Sequence, residues 1–345
     1  MIDLSIVVPV YNAQQYLTSC IDSILSDGMT SYEIILIDDG SQDESGRICD
    51  IYEKKHPNIK VFHIENKGVS NARNIGIEKA QGKWIMFMDA DDELLCDVNE
   101  LIKIEKDYCD GVYFNYKRTE KGEKSIYRHK RILNSQNILL ATLNRIKYYK
   151  NLENAITLKP STLDSCWAKL YKTEIIKENN IIFDEKLRLS EDTVFNVQYL
   201  LHTNKILCVD QDIYYYRNNE QSVCNNFKIE NISNRYLLIK KMNRIKMNKK
   251  CSRAREVYCI CILLQLQQQI IKYSNIEYVK RFFVILKERE IRRLIEGIGY
   301  RKLSQRRLQS IKNNVILFLW KMRLYKTVYF LKETIATVKS FIKKS

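Results

Sequence analysis

Three acidic residues stand directly after one of the most apolar short segments of the chain. Trp84 to Met88 are all large apolar residues, and Asp89, Asp91 and Asp92 follow at once. A buried strand that stops at acids places these carboxylates together at the edge of a sheet. Clustered carboxylates repel one another unless a cation lies among them, and Mg²⁺ or Mn²⁺ prefers oxygen ligands. The pattern predicts a divalent metal site that neutralises a diphosphate, and the alternative is a turn with solvated acids.

The segments around these acids alternate between the patterns of strands and helices. The predicted strands are Leu4–Val10, Glu33–Ile37, Ile59–Ile64 and Lys83–Met88. The predicted helices are Ala13–Leu25, Glu44–Lys55 and Val69–Ala80, for which Asn12 and Ser41 are plausible starts. Alternation of this kind predicts a doubly wound α/β sheet, which binds its ligands at the carboxyl ends of the strands.

Residues suited to a nucleotide diphosphate follow the other strands of this sheet. Tyr11 stands after the first strand, Asp39 after the second and Arg73 after the third. An aromatic ring can stack on a base, an acid can accept hydrogen bonds from a base or ribose, and an arginine supplies positive charge. A Gly-x-Gly-x-x-Gly loop does not follow the first strand, which disfavours a dinucleotide enzyme.

The order of the motifs resembles that of the family 2 glycosyltransferases, which are inverting nucleotide-sugar enzymes of the GT-A fold. The matching segments are Ser5 to Asn12, Asp38-Asp39-Gly40-Ser41, Asn71 to Gly76, Asp89-Ala90-Asp91, Trp167 to Tyr171, Ser190 to Phe195 and Tyr215-Tyr216-Arg217. The later motifs are similar to those of the capsule, O-antigen and exopolysaccharide branches. The resemblance extends roughly from Met1 to Val223 and leaves out the C-terminal tail.

The resemblance implies a role for each matching residue. The residues expected to bind the donor nucleotide are Pro9, Tyr11 and Asp39 with Arg73 in support, while Asp89 contacts the ribose or the metal shell. Asp91 is expected to ligate the metal, and Asp192 to be the general base that deprotonates the acceptor hydroxyl. Trp167 and Glu191 are expected at the acceptor site.

Each of these later residues also has a purely structural interpretation. Glu191 and Asp192 could be acids that favour the start of a helix, and Trp167 could be an ordinary core residue. Under the resemblance, the activity is metal-dependent transfer, with inversion, of a sugar from a UDP-sugar to a hydroxyl. The acceptor is expected to be a glycan or a lipid-linked sugar in cell-surface polysaccharide synthesis, and the cofactor Mn²⁺ or Mg²⁺.

The charge of the chain is divided unevenly. Residues 228–345 carry 29 Lys and Arg against 7 Asp and Glu, a net charge of +22, whereas residues 1–227 carry a net −6. The difference predicts a GT-A domain over 1–227, made of a nucleotide-binding half (1–106) and an acceptor half (107–227). A basic, mostly helical C-terminal region then covers 228–345.

The tail contains a heptad pattern of apolar residues from Val315 to Ile342. Leu317, Leu324, Leu331 and Val338 repeat every seventh residue, with lysines interspersed. One interpretation is an interfacial helix on anionic lipid, and the other is a packing seam within the protein or between two copies. The chain has no apolar run near the ~20 residues that a membrane span requires, and a predicted strand begins already at Leu4. We therefore expect a cytoplasmic protein that binds peripherally to the cytoplasmic face of the membrane.

Two other classes of protein share some of these features. A nucleotidyltransferase that acts on a sugar phosphate also uses acidic metal ligands, but it normally carries a Gly-rich basic loop where Pro9-Val10-Tyr11-Asn12 stands. A nucleic-acid-binding protein would explain the +22 of the tail but not the acidic N-terminal part. We therefore expect no nucleic-acid partner.

Overall fold

The computed structural model describes residues 2–26, 31–104, 106–118, 130–143, 158–217, 227–273 and 275–297, together with Ile316 and Trp320. The chain divides into two compact units, Met1–Ser222 and Val223–Ser345. The division falls in residues 218–226, outside the described residues, so the predicted limit at Phe227 stays a prediction. Most of the predicted tail helix also lies outside them.

The first unit alternates strands and helices in its N-terminal half, as the sequence predicts. Its strands are β1 (Leu4–Val10), β2 (Tyr32–Asp38), β3 (Ile59–His63), β4 (Trp84–Phe87), β5 (Glu93–Leu94), β6 (Gly111–Lys117), β7 (Lys130–Asn134), β8 (Lys169–Lys172) and β9 (Lys205–Tyr215). Its helices are α1 (Leu17–Ile24), α2 (Ser45–Lys55), α3 (Val69–Lys79), α4 (Val98–Lys103), α5 (Ser135–Leu143), α6 (Pro160–Asp164), α7 (Thr173–Glu178) and α8 (Glu191–Leu201).

One mixed sheet contains all the strands in the described part of this unit. The order is β3-β2-β1-β4-β8-β6-β9-β5, and β7 pairs with β9. β1 to β4 pair in parallel, with Val7 opposite Ile35 on one side and Phe87 on the other. These strands are almost wholly apolar because both of their faces are buried. The carboxyl ends of β1, β2 and β4 therefore lie at one edge of the sheet, where the sequence predicts the ligand.

A close approach between α3 and β1 fixes the position of α3 over the sheet. A Cβ atom added at Gly76 would lie 2.1 Å from Cγ1 of Val7, so any side chain at this position would force Val7 or the helix to shift. Gly76 lies one turn after Arg73 on the same helix. The glycine therefore sets how deeply the helix that carries Arg73 packs on the sheet.

The two helix starts predicted at Asn12 and Ser41 are wrong. α1 begins at Leu17 and α2 at Ser45, so both residues lie in the loops that precede the helices. Asn12 has φ +48°, its N–H donates to Ser41 Oγ (3.1 Å), and its Oδ1 accepts from the N–H of Gln42 (2.8 Å). The polar side chains brace the loop after β1 against the loop after β2 instead of capping a helix.

The second unit is helical throughout its described part, in agreement with the sequence. Its helices are α9 (Ile229–Arg244), α10 (Lys249–Tyr273), α11 (Ile276–Lys287) and α12 (Arg289–Gly297). Asn275 begins α11 by accepting the N–H of Glu277 on its Oδ1 (2.9 Å), a standard side-chain cap. Among the described residues, none of the helices has both the length and the apolar character that a membrane crossing requires.

Candidate active site

The three acids after β4 share a turn but do not share an environment. The N–H of Asp92 donates to the carbonyl of Asp89 (3.1 Å), which closes the turn. Asp92 is buried, and its carboxylate accepts from the hydroxyl of Tyr214 (2.7 Å) and from the N–H of Arg217 (2.8 Å). Burial, together with the charges of Asp89 and Asp91, raises the pKa of Asp92. Asp89 and Asp91 are only partly buried, so these two are the acids that a bound ion could reach.

A single buried guanidinium joins this turn to the start of α8. Nη2 of Arg73 donates to Oδ1 of Asp89 (2.8 Å), and Nη1 donates to Oδ1 of Asp192 (2.9 Å). The same Nη1 lies 3.3 Å from Oε1 of Glu191. The side chain of Arg73 is 5% exposed, so its ion pairs are shielded from water and screened little by salt. The structure therefore brings three of the predicted site residues together around a fourth, the cation Arg73.

Asp192 is held on both of its carboxylate oxygens. Oδ1 accepts from Arg73, and Oδ2 accepts from the backbone N–H of Cys166 (3.0 Å). The turn into α8 is tight, because Ser190 has φ +66° in the left-handed region. Burial, followed by the charge of Asp192, raises the pKa of Glu191, while Arg73 opposes the shift. The carboxylate of Asp192 is 19% exposed and keeps a fixed orientation at the same sheet edge as Asp89.

The predicted nucleotide residues Pro9, Tyr11 and Asp39 lie at the carboxyl ends of β1 and β2. Tyr11, directly after β1, is 51% exposed, and Pro9, the next-to-last residue of β1, is partly buried. Asp39 is buried, and its two oxygens accept the N–H groups of Lys67 and Gly68 at 2.8 Å each. Asp39 thus holds the loop that leads into α3. An exposed ring at the carboxyl end of β1 is available for stacking on a base, whereas Asp39 already has a structural function.

Trp167 lies in an aromatic cluster beside the acidic turn. It is 5% exposed, forms a β-bridge with Phe87, and stacks on Tyr214 with ring centroids 4.8 Å apart and planes 6° from parallel. Tyr116 packs edge-on against Trp167 at 4.8 Å, and Tyr216 lies at 5.6 Å. The indole is largely enclosed by other rings. This environment is that of a core residue, which was one of the two interpretations of Trp167 from the sequence. Its role toward an acceptor stays a prediction.

The donor groups of the acidic turn fit a divalent ion that is shared with a substrate. Within the described ranges, three or more His, Cys, Asp or Glu side chains do not come together as a metal-binding group. Mg²⁺ commonly uses one or two protein carboxylates and completes its octahedron with phosphate oxygens and water. Asp89 and Asp91, which are partly buried, would supply this smaller set.

Several contacts that hold the site could not be read from the sequence. The guanidinium of Arg217 donates from Nε to the carbonyl of Asp91 (2.9 Å) and from Nη2 to Oε1 of Glu93 (2.6 Å). The Tyr-Tyr-Arg segment is visible in the sequence as a motif, but its partners lie more than one hundred and twenty residues earlier. Cys166 contributes only its backbone N–H, for which no sequence signal exists.

The motif order, the fold and these contacts agree with one family of proteins. The model of glycosyl transferase family 2 matches residues 5–179. The chain belongs to this family. The predictions of the family, of the GT-A fold and of an enzyme of the glycosyltransferase class are therefore confirmed.

Similar proteins are known from bacteria. The glycosyltransferase EpsJ of Bacillus subtilis is 30% identical over 222 residues, which are 64% of this chain and 62% of that protein. YibD of Escherichia coli is 26% identical over 93% of this chain and 92% of its own length. The crystal structure of Staphylococcus aureus TarS 1–349 with UDP-GlcNAc matches with a TM-score of 0.68 at 18% identity, over 97% of this chain and 92% of that one.

Proposed function

We propose that this chain transfers a sugar from a UDP-sugar to a hydroxyl group of a glycan or lipid-linked sugar, with inversion and with a divalent ion. The observation that carries the proposal is the position of Arg73, which connects Asp89 on the donor side to Asp192 at the start of α8. Membership of glycosyl transferase family 2 supports it. The two alternative classes, a nucleotidyltransferase and a nucleic-acid-binding protein, have no such support.

The donor end of the proposed site is the edge formed by β1, β2 and β4. Tyr11 would stack on uracil, with Pro9 and Asp39 shaping the pocket. Asp91, assisted by Asp89, would hold Mn²⁺ or Mg²⁺, which supplies positive charge to offset the departing diphosphate. A crystal structure of TarS contains UDP-GlcNAc, and a mannosyltransferase of the same fold from Pyrobaculum calidifontis contains GDP-Man and Mn²⁺. These two complexes make UDP-GlcNAc and Mn²⁺ the first pair to test.

The acceptor end of the proposed site is the start of α8. In the reaction, Asp192 accepts the proton of the acceptor hydroxyl while the oxygen of that hydroxyl forms a bond to the anomeric carbon of the donor sugar. The bond from that carbon to the diphosphate oxygen breaks, and UDP departs with the electron pair. One displacement from the opposite face inverts the anomeric configuration. A carboxylate has about four acceptor positions, so Asp192 can receive this proton while Arg73 and the N–H of Cys166 keep its orientation.

The place of the enzyme in the cell is also part of the proposal. Relatives include a poly(ribitol-phosphate) beta-N-acetylglucosaminyltransferase and a minor teichoic acid biosynthesis protein, and these names support an acceptor in cell-surface polymer synthesis. The net +22 of residues 228–345 supports peripheral association with the anionic cytoplasmic leaflet. A self-associating tail is the second possibility, because the heptad pattern also suits a seam between two copies.

Binding of nucleoside diphosphates in the presence and absence of metal tests the donor assignment. Calorimetry with UDP, GDP and ADP in Mn²⁺ is expected to give the tightest binding for UDP and a large loss in chelator. Equal affinity for all three nucleotides, or none, would contradict the proposal. When a donor and acceptor pair is found, the anomeric configuration of the product, measured by NMR coupling constants, decides inversion.

A further inference from the structure

Tyr214 occupies a position between the acidic turn and the aromatic cluster. Its hydroxyl donates to Oδ2 of Asp92 (2.7 Å) and accepts the backbone N–H of Asp89 (3.1 Å). Its ring stacks on Trp167 almost in parallel. The residue is fully buried, and its side chain reaches the turn from β9, 125 positions later in the sequence than Asp89. One side chain therefore clamps both ends of the Asp89-to-Asp92 turn to the acceptor half of the unit.

We propose that Tyr214 is a positioning residue that holds the Asp89-Ala90-Asp91 turn in the conformation needed to bind a divalent metal ion together with the diphosphate of the donor. This inference rests on the proposed function, because it assumes that the turn binds a metal ion together with the diphosphate of the donor. It goes beyond that function by giving a role to Tyr214, which lies outside the predicted site residues. The hydrogen bond that the backbone N–H of Asp89 donates to the hydroxyl fixes the peptide plane at Asp89, and the bond that the hydroxyl donates to Asp92 fixes the other end of the turn. Because the backbone on both sides of Asp91 is fixed, its carboxylate has few orientations available before the metal ion binds.

Three further contacts show why the clamp is rigid. The N–H of Arg217 donates to Oδ1 of Asp92, so both oxygens of that carboxylate are engaged. Nε of Arg217 donates to the carbonyl of Asp91. On the opposite side, Arg73 donates to Asp89. Every residue of the turn that carries an acid is thus tied to a neighbouring element, and Tyr214 is the member of this set that contacts both ends.

The matched control is Tyr199, another fully buried tyrosine. Its hydroxyl also makes one donated and one accepted bond, to the carbonyl of Asp110 and from the N–H of Lys172 (2.7 Å). Those partners lie on β8 and near β6, away from the acidic turn. Removing either hydroxyl removes one bond accepted from a backbone N–H and one donated bond at the same depth, to the carboxylate of Asp92 in one case and to a backbone carbonyl in the other. The two variants therefore differ in whether the hydroxyl contacts the acidic turn.

The experiment compares full-length wild type, Tyr214→Phe and Tyr199→Phe. Calorimetry measures the Kd of UDP in Mn²⁺ and in chelator, and a thermal scan measures Tm. Tyr214→Phe is expected to weaken UDP binding in Mn²⁺ by roughly 10- to 100-fold, the usual effect of removing a supporting partner of a metal site. In chelator its Kd should equal that of wild type. Tyr199→Phe should also lower Tm, because it removes two buried hydrogen bonds, but it should leave both Kd values unchanged.

The outcomes separate this inference from the proposed function. Wild type that binds UDP only with Mn²⁺, beside a Tyr214→Phe variant with unchanged Kd, overturns the inference alone, as does an equal loss in Tyr199→Phe. Wild type that shows no metal-supported binding overturns the proposed function and the inference together. If Tyr214→Phe does not fold, Asp92→Ala removes the same hydrogen bond from its other end, and the same loss is expected.

Discussion

Arg73 and Asp192 are 119 positions apart in the sequence, yet Nη1 of the arginine lies 2.9 Å from Oδ1 of the aspartate. The same guanidinium pairs with Asp89 and Glu191, so one cation faces three carboxylates. The local excess of negative charge favours binding of a further cation. It also means that the acid at the start of α8 and the turn after β4 cannot move independently.

Removal of this cation should strongly destabilise the protein. Arg73→Gln leaves three acids close together without their buried partner, and we expect a loss of about 3–5 kcal/mol in the free energy of unfolding. Arg47→Gln is the matched control, because Arg47 pairs with Glu44 at side-chain exposures of 68% and 61%. An exposed pair of that kind contributes about 0–1 kcal/mol. Urea denaturation measures both variants, and equal losses would contradict a central role for Arg73.

The acidic turn should make nucleotide binding depend on metal. We expect UDP to bind wild type weakly in chelator and Asp91→Ala to lose most of the gain that Mn²⁺ gives, because Asp91 is the proposed ligand. Asp107→Ala removes an exposed acid outside the site and should behave as wild type. Calorimetry with and without Mn²⁺ compares the three proteins. The metal assignment is wrong if chelator leaves the Kd of wild type unchanged.

A buried lysine next to the site should make stability depend on pH. Lys169 is fully buried, donates to the carbonyls of Thr162 and Ser165, and has its pKa lowered to about 7 by burial. Above that value the folded state holds a neutral amine, while the unfolded chain still binds the proton. The contribution of Lys169 to stability therefore rises with pH, by up to about 1.4 kcal/mol per unit, until the pH approaches the ordinary pKa of lysine.

Urea denaturation of wild type and Lys169→Met at pH 7, 8 and 9 isolates this contribution. The difference in the free energy of unfolding between the two proteins should change in favour of wild type as the pH rises. Other groups, including the buried cysteines, titrate in both proteins and cancel in the difference. Lys79→Met is the control for the loss of a lysine, because the side chain of Lys79 is 40% exposed. A constant difference for Lys169→Met would show that its pKa is not lowered.

The basic second unit should bind anionic membranes. Intact protein is expected to sediment with vesicles that contain anionic lipid at low salt and to be released as salt rises, since +22 of charge faces a negative surface and is screened over about 8 Å at physiological ionic strength. Zwitterionic vesicles are the control and should bind little. Protein that stays in the supernatant at low salt would contradict membrane binding and favour the interpretation of the heptad pattern as a packing seam. In that case, polar substitution of Leu317, Leu324 and Leu331 should abolish self-association.

The sequence predicted the strands and the family better than it predicted the contacts of the site. β1 has the predicted limits Leu4–Val10, because a strand buried on both faces leaves a continuous apolar run. The helix starts predicted at Asn12 and Ser41 were wrong, because a polar side chain can hold a second loop in place as readily as it caps a helix. Long-range pairing leaves no local pattern.

The same reason limits what could be predicted of individual acids. Asp91 and Asp92 are neighbours of identical type, and the groups that hold the carboxylate of Asp92 inward, the hydroxyl of Tyr214 and the N–H of Arg217, lie far along the chain. The support that Arg73 gives to the nucleotide pocket stays a prediction, and its partners in the structure, the acids of the turn and of α8, had no local signal in the sequence. Periodicity identifies strands and faces, whereas the partner of a polar group depends on tertiary packing.

The most direct test of the proposed reaction is the Asp192→Asn variant assayed for both donor binding and turnover. Calorimetry gives the Kd of UDP in Mn²⁺, and release of UDP from UDP-GlcNAc, or from the donor that the nucleotide screen selects, gives the rate. If Asp192 is the base, the Kd stays within error of wild type while turnover falls by roughly 10²–10⁴-fold, the usual contribution of a positioned general base. Turnover near the wild-type rate in a folded variant would contradict that assignment.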